Sequence, residues 1–108
     1  MITQKIFTSE AIKFIFEKDG QVAGRAYLYL ITNDLHEQCY GLVEDLFVDD
    51  KWRGQGIGTE LLTAVMVEAR KRKCYKLIGT SRTARAEVHE WYERLGFKKY
   101  GVEFRMDL

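Results

Sequence analysis

The residue types and spacing that could do chemistry gather in one stretch, Asp45 to Leu62, and within it in Arg53-Gly54-Gln55-Gly56-Ile57-Gly58-Thr59. Glycines at alternate positions leave a run of backbone N–H groups with no Cβ in the way. An amphipathic helix opening at the same point adds its own unpaired N–H groups and the positive end of its dipole. Such a turn takes an anion, and its size suits a phosphate or pyrophosphate.

The spacing excludes two common phosphate ligands. A dinucleotide fingerprint needs G-x-G-x-x-G, and the third glycine, Gly58, comes one residue too early. The acidic residue that should close the next strand is replaced by Gly79-Thr80-Ser81-Arg82. A nucleoside-triphosphate loop counted from Gly54 requires glycine and lysine where Thr59 and Glu60 stand. What remains is R-x-x-G-x-G between a strand and a helix. That motif resembles the acetyl-CoA signature of the GNAT superfamily of N-acetyltransferases.

The elements that must position this turn are legible from periodicity. Residues 2–7 are ambiguous between coil and an edge strand. Residues 11–18 set Ile12, Phe14 and Phe16 on one strand face, and Asp19-Gly20 is a two-residue hairpin turn. Residues 21–31 return as a second strand, and a third runs from about Glu37 to Val48, making an antiparallel meander. From Ile57 to about Lys73, Ile57, Leu61, Leu62, Ala64, Val65 and Ala69 fall at helical spacing. The basic run Arg70 to Lys73 suits the negative end of that helix. Residues 75–80 form a short strand, which makes a parallel β-α-β unit with a right-handed crossover. A second helix covers Ala84 to Leu95, with Val88, Trp91, Tyr92 and Leu95 on its apolar side and Gly96 as its stop. Residues 97–108 read as a last strand in which Phe104, Met106 and Leu108 alternate inward. The expectation is one α/β domain over residues 1–108, β-β-β-α-β-α-β, with a mixed, mainly antiparallel sheet.

Trp91-Tyr-Glu-Arg-Leu-Gly-Phe97 looks like the Y-E-x-x-G-F ending typical of the same superfamily. The resemblance covers roughly residues 11 to 108. It implies that the third and fourth strands diverge in a V and that the pantetheine arm of acetyl-CoA enters the gap. The N–H groups of Leu46, Phe47 and Val48 then hold the acetyl carbonyl, and those of Arg53, Gly54, Gln55, Gly56, Ile57, Gly58 and Thr59 hold the pyrophosphate. An amide donor there stabilises the oxyanion of a tetrahedral intermediate. Arg53 either adds a charge-assisted bond to the phosphate or shapes the turn. Tyr92 matches the family's general acid, returning a proton to a thiolate whose thiol has a pKa near ~8.5. Trp91 reads as core or interface, and His89 as a solvated surface residue.

Glu44-Asp45-Leu46-Phe47-Val48 is similar to the E-D-F-F-V stretch of spermidine/spermine acetyltransferases, in which the matching glutamate lies near the amine. The resemblance makes Glu44 either the base that takes the amine's proton or, like Asp45, a charge that attracts a cationic substrate. Two departures stand out. Where the family usually carries an asparagine, this chain has Arg85; Arg82 or Arg85 is left to meet a phosphate of the cofactor. The family also places two helices between its first two strands, and the stretch between Ile2 and Ile12 has no room for them. The acceptor pocket is then open, completed by a second copy in a homodimer, or shaped for a macromolecular amine.

Composition narrows the remaining classes. The 108 residues are 46% hydrophobic and 31% charged, which suits one folded domain. Lys plus Arg is 17 against 16 for Asp plus Glu. That balance gives no argument for nucleic acid or a membrane surface. No apolar run approaches a membrane span, and Met1-Ile-Thr-Gln-Lys5 does not read as a signal peptide, so the cytoplasm is the expected compartment. With two histidines and two cysteines, a metal site is not expected. Cys39 and Cys74 stand at the starts of two strands that can be neighbours; they read as small apolar thiols, with a disulfide the lesser alternative in that compartment. The functional expectation is transfer of acetyl from acetyl-CoA to an amine, small-molecule or protein-borne, by direct attack. The alternative is an acyl-CoA-binding or interaction module without catalysis.

Overall fold

Strand alternation and turn chemistry build a four-stranded sheet in this computed structural model, which describes residues 1–108. The elements are β1 (Glu10–Lys18), β2 (Gln21–Ile31), β3 (Tyr40–Val48), a short 3-10 turn (Asp50–Trp52), α1 (Ile57–Lys71), β4 (Leu77–Gly79) and α2 (Ala86–Arg94). The sheet order is β1-β2-β3-β4, with the first three strands antiparallel and β4 parallel to β3. This is the expected mixed α/β architecture, with α1 as the crossover. Asp19 and Gly20 join β1 to β2 with φ of 52° and 73°. Positive φ at both central residues gives a turn whose twist matches that of the strands it connects.

The core lies between the sheet and α1. Ala23, Ala26, Leu28 and Leu30 of β2 and Val43 of β3 meet Ile57, Leu61, Leu62, Val65 and Ala69 of α1, all buried. The helix face is the one its periodicity implies, except that Ala64 is exposed. Leu62 and Val65 are completely covered, so each stabilises the fold by about 1.5–3 kcal/mol through burial. The helix stops at Lys71, two residues before the expected end, and Lys73 turns the chain with φ 60°.

The last element differs from expectation. Residues 97–108 form no strand, and Val102, Phe104, Met106 and Leu108 are exposed rather than turned inward. A strand exists only through its ladder, and no strand of this sheet pairs with the segment. Residues 2–7 likewise form no strand.

Candidate active site

The site begins where two strands part. β3 pairs with β4 only through Gly41–Leu77, Leu42–Ile78 and Val43–Gly79. Past Val43 the two diverge and leave a cleft of about 990 Å³. Val43 to Val48 line one side; Thr80, Ser81, Arg82, Arg85, Val88, Trp91 and Tyr92 line the other. Glu103 to Met106 of the C-terminal segment run along its margin.

A bulge in β3 decides which groups enter this cleft. Tyr27 faces Glu44 and Arg25 faces Phe47, so Asp45 and Leu46 together oppose the single residue Ala26. Asp45 takes φ 53° to accommodate the extra residue. The Arg25 guanidinium donates to the Asp45 carbonyl and lies over the Phe47 ring at 5.1 Å, pinning the bulge. Before it, Val43 faces α1; after it, Leu46 and Val48 pack toward the core instead of Asp45 and Phe47. Asp49 donates its N–H to Ala23 of β2 at 2.8 Å. By strand alternation, the Phe47 N–H also points to β2, while those of Leu46 and Val48 turn to the open side. The sequence alone does not mark this parity change, because Leu42 and Phe47 are apolar as well.

The glycine turn closes one end of the cleft. Gly54 and Gly56 have φ of 79° and 82°, a region in which an L side chain is strained. Gly56 caps α1 with no side-chain hydrogen bond. The first bond of the helix runs from the Glu60 N–H to the Gly56 carbonyl at 3.0 Å, and none of the N–H groups of residues 54 to 59 has a backbone acceptor. They form an open cradle at the positive end of α1. Arg53 shapes this turn: its Nε donates to the Val48 carbonyl at 2.9 Å, its Nη1 pairs with Asp50 at 2.7 Å, and its guanidinium lies over Phe47. Thr59 accepts a hydrogen bond from the Trp91 indole at 3.0 Å, joining α2 to the start of α1.

Tyr92 is set by α2 and by a missing side chain. A Cβ at Gly79 would lie 2.7 Å from the Tyr92 ring edge and 3.2 Å from its hydroxyl. Trp91 and Phe97 hold the ring edge-to-face at 5.3 and 5.1 Å. Burial, and then the charge of Glu44, pushes the phenol above its ordinary range, so it keeps its proton at neutral pH. Burial also pushes the Glu44 carboxyl up, with Asp45 and Glu103 adding to the effect. The site thus holds a protonated phenol and a half-buried carboxyl whose charge it feels, beside backbone donors.

Residues 9–99 match the family model of the acetyltransferase (GNAT) domain. The chain belongs to the GNAT acetyltransferase family. It is 30% identical over 113 residues to an aminoglycoside N(6')-acetyltransferase type 1 from Stenotrophomonas maltophilia, covering 99% of this chain and 74% of that protein. It is also 30% identical over 96 residues to a glucosamine 6-phosphate N-acetyltransferase from Trypanosoma brucei brucei, covering 88% of this chain and 63% of that protein. The crystal structure of a Trypanosoma brucei acetyltransferase superposes with a TM-score of 0.82 at 29% identity, over 91% of this chain and 69% of that one. The chain therefore spans about two-thirds to three-quarters of these relatives. GNAT enzymes use acetyl-CoA, and this chain is an acetyltransferase domain of that family.

The GNAT fold brings Glu44, Leu46, Phe47, Val48, Arg53, Gly58 and Tyr92 to one cleft. Gly54, Gln55, Gly56, Ile57 and Thr59 sit at the turn that ends it. Of these, the Arg53 side chain is spent on the turn, Ile57 is core, and Gln55 accepts from Lys18 at 2.6 Å. Arg82 and Arg85 both line the cleft. His89 is not simply solvated: it is half-buried, with Nε2 2.9 Å from the Arg82 carbonyl. Sequence reasoning missed Gly79 and Arg25. Nothing in the pattern of β4 marks Gly79 as the seat of a ring thirteen positions on in the chain (Tyr92), whereas Arg25 has a partner only because β3 bulges.

Proposed function

We propose that this domain transfers the acetyl group of acetyl-CoA directly to an amine in a ternary complex. The observation that carries the reading is the parting of β3 from β4 after Val43 and Gly79. That gap meets Tyr92 and Glu44 at one end and the cradle of residues 54 to 59 at the other. The cradle takes the pyrophosphate. The N–H groups of Leu46 and Val48, with Phe47 holding that strand to β2, present donors to the thioester carbonyl. Glu44 takes a proton from the incoming ammonium, because only the neutral amine has a lone pair. The amine attacks the carbonyl carbon, the C–S bond breaks, and Tyr92 gives its proton to the departing thiolate. Glu44 passes its proton to solvent, and the proton that the nitrogen sheds as the amide forms restores the Tyr92 phenol, so each turnover releases one proton.

The names of the relatives point to small amines as acceptors: an aminoglycoside, glucosamine 6-phosphate and, at 29% identity, an aminoalkylphosphonate. We take a small-molecule amine as the acceptor class here, with a second copy of the chain completing the acceptor side. Support for the second copy comes from the exposed Tyr100, Val102, Phe104 and Met106 beside the cleft margin. A monomer at micromolar concentration in sedimentation equilibrium would overturn that part.

Calorimetric titration with acetyl-CoA, against CoA, NAD and ATP, tests the cofactor. Initial rates over a panel of such amines test the transfer. Direct attack gives intersecting double-reciprocal lines; parallel lines would mean an acetyl-enzyme and refute it. Tyr92→Phe should lower kcat by about 10²–10⁴-fold with acetyl-CoA affinity unchanged. Equal losses in both would make Tyr92 a binding residue.

A further inference from the structure

Cys39 and Cys74 lie at the end of the β3–β4 pair opposite the cleft. Their sulfurs are 3.5 Å apart and both thiols are free and half-buried. Cys39 immediately precedes β3, and Cys74 lies just before β4. Backbone bonds hold the two positions in register: Tyr75 N–H to the Cys39 carbonyl at 3.2 Å, Gly41 N–H to the Lys76 carbonyl at 2.9 Å, and Cys74 N–H to the Ala69 carbonyl at 3.0 Å. The juxtaposition therefore belongs to the ordered parallel pair and not to a loose loop.

The two thiols differ in access. Cys39 lines a separate cavity of about 330 Å³ with Thr8, Ser9, Glu10, Thr32 and Arg72. Cys74 does not reach that cavity. Arg72 is occupied by Glu68 and Glu10, at 2.9 and 3.1 Å. Burial, and then its neighbour Cys39, pushes the Cys74 thiol up to about 11.

We propose that Cys39 and Cys74 form a dithiol site that reacts with a low-molecular-weight disulfide and closes to an intramolecular disulfide. Cys39 attacks first, because it faces the cavity. Its thiolate bonds to one sulfur of the disulfide and expels the other as a thiolate. Cys74 then gives up its proton, attacks the Cys39 sulfur and expels the second thiolate. Two protein thiols are oxidised, one disulfide is reduced to two thiols, and the two protons leave with them. The loop so closed spans the sequence between positions 39 and 74, which holds β3, the glycine turn and α1. The bond staples the start of β3 to the approach to β4 and leaves the parting at Val43 and Gly79 untouched.

The test uses the full reduced chain incubated with oxidised glutathione. The expected product has lost the mass of two hydrogens, resists alkylation, yields a linked Cys39–Cys74 peptide, and melts higher by about 10 °C or more. Cys74→Ser should stop at a glutathione adduct on Cys39, whereas Cys39→Ser should react far more slowly at Cys74. Wild-type protein that stays fully alkylatable, keeps a glutathione adduct, or links into disulfide dimers would overturn the proposal. Faster adduct formation at Cys74 than at Cys39 would overturn the order of attack.

Discussion

Replacing Gly79 by alanine places one methyl group against the ring proposed to be the acid. The Cβ would sit 2.7 Å from one Tyr92 ring carbon, 3.1 Å from the next and 3.2 Å from the hydroxyl. Carbon atoms in contact prefer about 3.5–4.0 Å, so the ring must retreat by roughly 1 Å. Trp91 and Phe97 already pack its other sides, so the ring cannot simply rotate away. Overpacking of this kind costs about 1–3 kcal/mol of stability. A misplacement of about 1 Å at a reacting group costs on the order of 100-fold in rate. The expected result is a fall in kcat of about that size, with KM for acetyl-CoA within about threefold of wild type. The assay is release of CoA thiol with the best amine from the panel, beside a thermal melt of each variant. The decisive comparison places Gly79→Ala in the Tyr92→Phe background. There it should cost little further rate, because the hydroxyl it displaces is gone. A full additional loss, or a wild-type kcat in the single variant, would refute the argument that Gly79 acts through Tyr92.

Other outcomes follow from the same geometry. Gly56→Val forces a β-branched residue to φ 82° and should weaken acetyl-CoA binding by about tenfold or more in calorimetry. The Glu44 carboxyl is held above its ordinary range, so the carboxylate proposed as the base is lost at a higher pH than for a free glutamate. Rates should fall on the acid side with an inflection above ~4.3, and Glu44→Gln should remove that limb. The phenol of Tyr92 is also held up, and its protonated form is the proposed donor, so its limb should lie on the alkaline side, above ~10. Leu62→Ala, at a completely buried position, should lower unfolding free energy by about 2–5 kcal/mol in denaturant titration. The folded variant should still bind acetyl-CoA normally.

Local rules carried much of this protein in its sequence. The Asp19-Gly20 turn, the face of α1 and the stop at Gly96 each depend on a few neighbouring residues: positive φ, helical spacing, and a left-handed residue of φ 104° after the helix. The row of N–H groups without backbone acceptors at residues 54 to 59 was legible for the same reason, since glycine φ and a helix start are local properties. Tertiary structure decided the rest. The length of the β3–β4 ladder, three residue pairs, depends on where two distant segments stop meeting. The bulge at Asp45 depends on β2 offering Arg25 and Tyr27 at a fixed register. The seat of Tyr92 depends on a glycine in another element, and the closeness of Cys39 and Cys74 on the parallel pairing that follows α1. Residues 97–108 carry the alternation of a strand, yet they pair with nothing. Alternation prescribes two faces, but only a neighbouring edge supplies the hydrogen bonds that make a strand.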